Sequence, residues 1–224
     1  MKKLTAAAAI GLGMAACLGT GVYAGSNLTE IKAYLNGNIQ IKYNGNPVQL
    51  LNDQGQVQLP ITYNGTTYLP IKAVSTILKT AVSYEPQTNT VFLGEKLEGV
   101  SIAKGFSSDW HTQDPQVTVY QGKDYKDVFF NNYASTRSAG FILEPEGKYQ
   151  KLELQMAAIG ADISEVTIKD TDTDVVLKKV PLPVSDGLKT VEVNIAGSKN
   201  LYVSVVRIEE NGSWFVPLTT SYYK

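Results

Sequence analysis

With 224 residues, 43% of them hydrophobic and 18% charged, the chain is long enough to bury a conventional core without covalent staples. Its 20 Lys and Arg stand against 21 Asp and Glu, with no basic run to form a stripe, which argues against a phosphate-contacting nucleic-acid surface and against steering to anionic membranes. One cysteine and one histidine exclude an intrachain disulfide and the nitrogen- or sulfur-rich ligand sets of transition metals.

At the N-terminus, Lys2 and Lys3 precede an apolar run from Leu4 to Leu18. Val22-Tyr23-Ala24 then offers small residues to a signal peptidase, so residues 1–24 read as a signal peptide cleaved after Ala24. The run is short for a bilayer span, which needs about 20 apolar residues. Met14-Ala15-Ala16-Cys17 is a loose lipobox; membrane attachment follows only if Cys17 is lipidated or the signal is retained. Cleavage leaves 200 of the 224 residues, removes the cysteine and, with Lys2 and Lys3 gone, leaves 18 basic against 21 acidic residues. The expected location is secreted or at the cell surface.

Residues 28–94 predict a compact α+β domain. Asn36-Gly37, Asn44-Gly45 and Asn64-Gly65 tolerate the positive φ of two-residue hairpin turns, which suggests an antiparallel meander with Ile31, Tyr34, Ile39, Ile41 and Tyr43 facing inward. Pro70 opens a helix over 71–79, where Ile71, Val74, Ile77 and Leu78 recur at the spacing of one buried face. A second strand pair turns near residues 86–89. The segment Gly65-Thr66-Thr67-Tyr68-Leu69-Pro70-Ile71-Lys72, followed by that hairpin, resembles the small domain named after the N-terminal stalk of copper amine oxidases. The resemblance implies an exported bacterial protein and an α+β fold of a meander with one helix. In that family Lys72 is commonly arginine, Tyr84 is often tryptophan, and a glycine usually ends the helix where Lys79-Thr80 stands. It implies no copper chemistry, because a lone histidine, His111, cannot build a nitrogen-rich copper site. No metal or cofactor is expected.

Residues 95–115 read as a linker, with His111 a solvated residue in it. Residues 116–224 then predict an all-β, jelly-roll-like sandwich. Leu152, Leu154 and Met156 alternate with Glu153 and Gln155, and the same period of two recurs at Val166 and Ile168, Val191 and Val193, and Leu201, Val203 and Val205. Polar turns separate these runs. Asp170-Thr171-Asp172-Thr173-Asp174 sets carboxylates at alternate positions, as calcium loops do, but Val175 stands at the place of the turn glycine and no glutamate closes the loop, so it reads as a polar hairpin. Gly147-Lys148-Tyr149-Gln150-Lys151-Leu152, followed by Ala158-Ile159-Gly160-Ala161-Asp162, resembles a strand pair of carbohydrate-binding modules found beside glycosidase domains. Where those modules usually carry a histidine, this chain has Ser135-Thr136-Arg137-Ser138.

That resemblance implies sugar recognition. Sugar rings stack their C–H faces on exposed aromatic planes flanked by hydrogen-bonding groups, so Trp110, Tyr133, Trp214, Tyr222 and Tyr223 are aromatic candidates, with Asn132 and Arg137 beside them. Trp110, Tyr133, Arg137 and Trp214 form the candidate site. Trp214 follows the turn Asn211-Gly212-Ser213 and either emerges at a sandwich edge or seals one end of the core, with Phe215 pointing the other way. No nucleophile elbow is present, and Glu144, Glu146, Glu209 and Glu210 read as solvated loop acids, so no catalysis is expected. Two functions survive: an exported, non-catalytic protein recognising a cell-wall or extracellular polysaccharide, or a structural module binding envelope proteins. Exposed rings that include Trp214 favour the first, and buried rings beside an uncovered apolar patch the second.

Overall fold

The computed structural model describes residues 28–132, 138–207 and 211–224, with the side chains of Ser138, Val206 and Arg207 left aside. The expected signal peptide, Cys17, Tyr133 and Arg137 lie outside the described residues. Tyr34–Lys224 forms one compact unit. Of the unit before it, Met1–Ala33, residues 28–33 are described and carry no regular element.

The first part of the large unit is built from hairpins. Strands β1 (Tyr34–Leu35), β2 (Ile41–Tyr43), β3 (Asn46–Val48), β4 (Ile61–Tyr63) and β5 (Thr66–Tyr68) precede helix α1 (Ile71–Leu78), and β6 (Val82–Glu85) and β7 (Thr90–Leu93) come after it. Asn44-Gly45 and Asn64-Gly65 both hold positive φ at the two central positions, as type I′ turns require, and they close β2 on β3 and β4 on β5. Lys79 ends the helix in the left-handed region, φ 53°, the conformation that glycine usually supplies there.

The meander, however, is not continuous. Asn36-Gly37 closes no hairpin: β1 crosses to β4, and β2–β3 and β6–β7 stand as separate pairs. Nor do the predicted inward residues form a sealed core. Ile31, Tyr34, Tyr43, Ile71 and Leu78 are all exposed, Tyr34 at 64%, and the helix buries Ala73 and Ser75 instead. Two-stranded pairs of three or four residues are too short to enclose an apolar interior. Polar links tie this part to the strands beyond residue 150. The Gln150 side chain accepts from the Ala81 amide at 2.8 Å and donates to Asn194 Oδ1 at 3.0 Å, and Lys151 pairs with Glu95 at 3.2 Å.

The second part is a β-sandwich. Its strands are β8 (Val100–Ser101), β9 (His111–Thr112), β10 (Val119–Tyr120), β11 (Lys123–Asp124), β12 (Val128–Asn131), β13 (Ser138–Leu143), β14 (Lys151–Ile159), β15 (Ile163–Asp170), β16 (Val175–Leu182), β17 (Lys189–Asn194), β18 (Leu201–Arg207), β19 (Ser213–Pro217) and β20 (Tyr222–Tyr223). One antiparallel sheet runs β8-β20-β14-β19-β12-β9 with β17 added to β14, and the facing sheet runs β13-β18-β15-β16. Leu152, Leu154 and Met156 from one sheet meet Phe141, Ile168, Leu201 and Val203 from the other in the main core, as the period of two predicts. The expected linker is part of this fold: residues 100–112 add β8 and β9 to the large sheet, and Ile102 is buried in the core.

A second apolar layer lies on the opposite face of the large sheet. There Phe215, Val128 and Ala157 pack with Tyr125 and Tyr120, and Tyr120 stacks on Phe215 at 5.3 Å between centroids. The small sheet β10–β11 carries Tyr120 into this layer, so β19 is buried on both faces, Trp214 inward and Phe215 outward.

Candidate functional site

Trp214 is not at an exposed edge. It is 0% exposed, stacked on Phe141 at 5.2 Å and edge-on to Phe129 at 5.1 Å, and so it seals the core. Among the described residues its indole nitrogen has no hydrogen-bond partner, and neither side-chain polar atom of Asn131, its neighbour across the β12–β19 ladder, has one. Trp110 is half-buried against the same core. Trp214 can offer no open face to a sugar.

His111 is also not a solvated linker residue. It sits on β9, its Nε2 2.5 Å from Asp127 Oδ1, with Phe106 edge-on to its ring at 5.4 Å. Gln113 donates to the other Asp127 oxygen at 3.2 Å. This pair fastens β9 to the loop before β12.

The carboxylates of 170–174 are engaged by donors of the protein itself. Asp170 is buried and accepts from the Ser198 hydroxyl at 2.6 Å and from the Asp172 and Thr173 amides at 2.9 and 3.0 Å. Asp172 accepts from the Lys199 and Asn200 amides, both at 3.1 Å, and Asp174 pairs with Lys169. Burial pushes the Asp170 carboxyl up, but the Ser198 hydroxyl and the amides outweigh it and hold it below the ordinary aspartate range. This is a self-satisfied hairpin.

The chain does form a cleft, of about 490 Å³, on the flank where edge strands β8 and β13 of the two sheets approach. The turn after β8 supplies Lys104 and Phe106, β13 supplies Ile142, and the turn after it, Glu144-Pro145-Glu146-Gly147, supplies Glu144, Glu146, Lys148 and Tyr149. Glu146 and Gly147 both hold positive φ, and their amides donate to Lys199 and Ser198 carbonyls at 3.1 and 2.8 Å, which fixes the turn. Tyr149 stacks on Tyr223, with centroids 5.0 Å apart and planes 18° from parallel. Burial pushes the Tyr149 hydroxyl up, and burial, with Tyr149 and Glu144 beside it, pushes Tyr223 well above the ordinary tyrosine range, so both hydroxyls stay protonated near neutrality. Lys148 pairs with Glu146 and holds its carboxyl below the ordinary range.

The cleft therefore joins aromatic and aliphatic surface to carboxylates, ammonium groups and a hydroxyl. Tyr223, an aromatic candidate from sequence, lines it; Trp110 and Trp214 do not. Phe106, Ile142 and Lys104 escaped the sequence reading, which took Glu144 for a solvated loop acid and named Tyr149 only within the segment that resembles carbohydrate-binding modules. The one legible signal was the turn itself, two acids around a proline followed by Gly-Lys-Tyr.

No protein-family model and no curated protein matches the sequence. The resemblance of residues 63–93 to the stalk domain thus rests on its own residues. Among solved structures, the chain is similar to the carbohydrate-binding module TmCBM27, described for specific mannan recognition, with a TM-score of 0.33 and 11% identity over 57% of this chain and 96% of that one. It is also similar to a glycoside hydrolase family 43 arabinoxylan arabinofuranohydrolase from Bacillus subtilis, described in complex with cellotetraose, with a TM-score of 0.30 and 9% identity over 79% of this chain and 33% of that one.

Proposed function

We propose that the chain is an exported, non-catalytic protein of the cell envelope or extracellular space that recognises polysaccharide through the cleft between β8 and β13, with residues 28–94 as a stalk-like spacer. The observation that carries this reading is the makeup of the cleft. Phe106, Ile142 and the Tyr149–Tyr223 pair give an apolar wall, and Glu144, Glu146, Lys104 and Lys148 stand around it. A sugar needs both kinds of contact at once, C–H faces against apolar surface and hydroxyls against charged or polar groups. The volume falls within the range of about 300–1,000 Å³ typical of small-ligand sites.

The test is retention of the full chain on insoluble peptidoglycan, chitin, cellulose and xylan. Saturable binding to one polymer is expected, weakened about tenfold by Glu144→Gln, which removes a charge-assisted acceptor worth about 1.5 kcal/mol or more, and by Tyr149→Ala. Glu144 is exposed, so its variant should melt with the parent. Retention that ignores both variants would sink the cleft as the site.

A second reading, a module that binds envelope proteins, is the one that a buried Trp214 beside an uncovered apolar patch favours. Large apolar side chains lie open along residues 34–97, Leu35 at 70%, with Tyr84, Val91 and Leu93 also exposed. Such surface usually marks protein contacts. If no polymer retains the chain, this reading takes its place.

A further inference from the structure

Beyond the cleft, Tyr202 lies on the outer face of the four-stranded sheet. It is 40% exposed and belongs to β18, directly opposite Ile142 of β13 in the ladder. Side chains opposite each other across an antiparallel pair share a face, and Ile142, 54% exposed, also lines the cleft. The cleft and Tyr202 are thus separated by one strand spacing, about 4.8 Å, and share a wall residue.

The orientation of the ring is set by a glycine. Gly140, two residues before Ile142 on the same face, has no Cβ, and one built there would come within 2.6 Å of the Tyr202 hydroxyl oxygen and 2.8 Å of a ring carbon. The ring therefore reaches diagonally over β13 and rests on the bare backbone, its outer side open. Beside it on the outer face stand Ser204, two residues on along β18, and Lys169, directly opposite on β15 and paired with Asp174. An aromatic ring laid on a sheet beside a hydroxyl and a charged pair has the composition of a sugar-stacking platform.

We infer that the binding surface continues from the cleft over Ile142 onto Tyr202, so that the ligand is a linear polysaccharide read over several successive sugar units, not a terminal residue or free monosaccharide. This rests on the cleft being a sugar site. The end of a glycan occupies the cleft no better than its middle, and the Tyr202 ring adds affinity only once the bound chain is long enough to reach it.

The experiment titrates the full chain with cello-, xylo- and chito-oligosaccharides of increasing length and with soluble peptidoglycan fragments, for the parent, Glu144→Gln, Tyr202→Ala and Tyr202→Phe. In the parent, affinity is expected to rise with length and then level off. Tyr202→Ala should lose about tenfold on the longest ligand, the upper end of what an aromatic pair contributes, and nothing on the shortest, while Tyr202→Phe keeps the parent's affinity. Gly140→Ala, which lifts the ring, should behave as Tyr202→Ala does. A parent that binds no oligosaccharide or fragment refutes the sugar reading itself. A parent whose binding depends on Glu144 but not on Tyr202 at any length overturns the extension and leaves the cleft standing.

Discussion

Trp214→Ala is expected to cost stability, about 3–5 kcal/mol, and not to act as a selective loss of ligand binding. The side chain is fully buried and touches Phe141 and Phe129, and truncating a buried aromatic removes its transfer energy and leaves a cavity. A domain carries about 5–15 kcal/mol in all, so a large share disappears. At about 2–4 °C per kcal/mol for a chain of this size, the melting temperature should fall by roughly 6–20 °C. Trp214→Phe should cost far less than Trp214→Ala. It keeps a ring against Phe141 and removes a buried N–H that has no acceptor among the described residues, a group whose burial is itself unfavourable. Thermal unfolding followed by far-UV circular dichroism decides the matter: an alanine variant melting within a degree or two of the parent would contradict the packing described.

Asp170→Ala should cost about 2–3 kcal/mol, because it strands the Ser198 hydroxyl and the amides of Asp172 and Thr173. Asp170→Asn separates charge from shape. The folded carboxyl titrates below its ordinary 3.8, so its charged form stabilises the fold above the unfolded pKa, and that contribution is lost as pH falls through the folded value. The gap in denaturant midpoint between parent and Asp170→Asn should therefore be full near neutrality and close below about pH 4. A gap independent of pH would mean that the cost is one of shape, not of charge.

How much of the molecule was legible in the sequence depends on the range of each signal. The alternation in Leu152, Leu154 and Met156 and in Leu201, Val203 and Val205 is local, and those residues do face the core. Asn44-Gly45 and Asn64-Gly65 are equally local and make their turns. By contrast β8 and β9 have two residues each and owe their existence to β20 and β12, which are distant in sequence, so a linker was the natural reading. The opposite orientations of Trp214 and Phe215 come from the strand period, but whether either is open depends on what covers each face, and β10–β11 covers the outer one. The cleft draws on residues 100–107, 142–149 and 223 at once, and no single window of sequence shows such a junction. Tyr149 lay inside a segment singled out for its likeness to carbohydrate-binding modules, yet only its stacking on Tyr223 shows where its ring goes.

The place of β19 bears on how the chain can be made. It joins β14 to β12 in the middle of the large sheet and is apolar on both sides, yet it comes from residues 213–217, after every other strand of the sandwich except β20. Until those residues have been synthesised, β12 and β14 face a gap one strand wide and Phe141 lacks the tryptophan ring that stacks on it. Vectorial folding from the N-terminus, the usual order during synthesis, therefore stalls here: the nascent sandwich is an incomplete sheet with open edges and uncovered apolar surface, held unfinished until its central strand arrives.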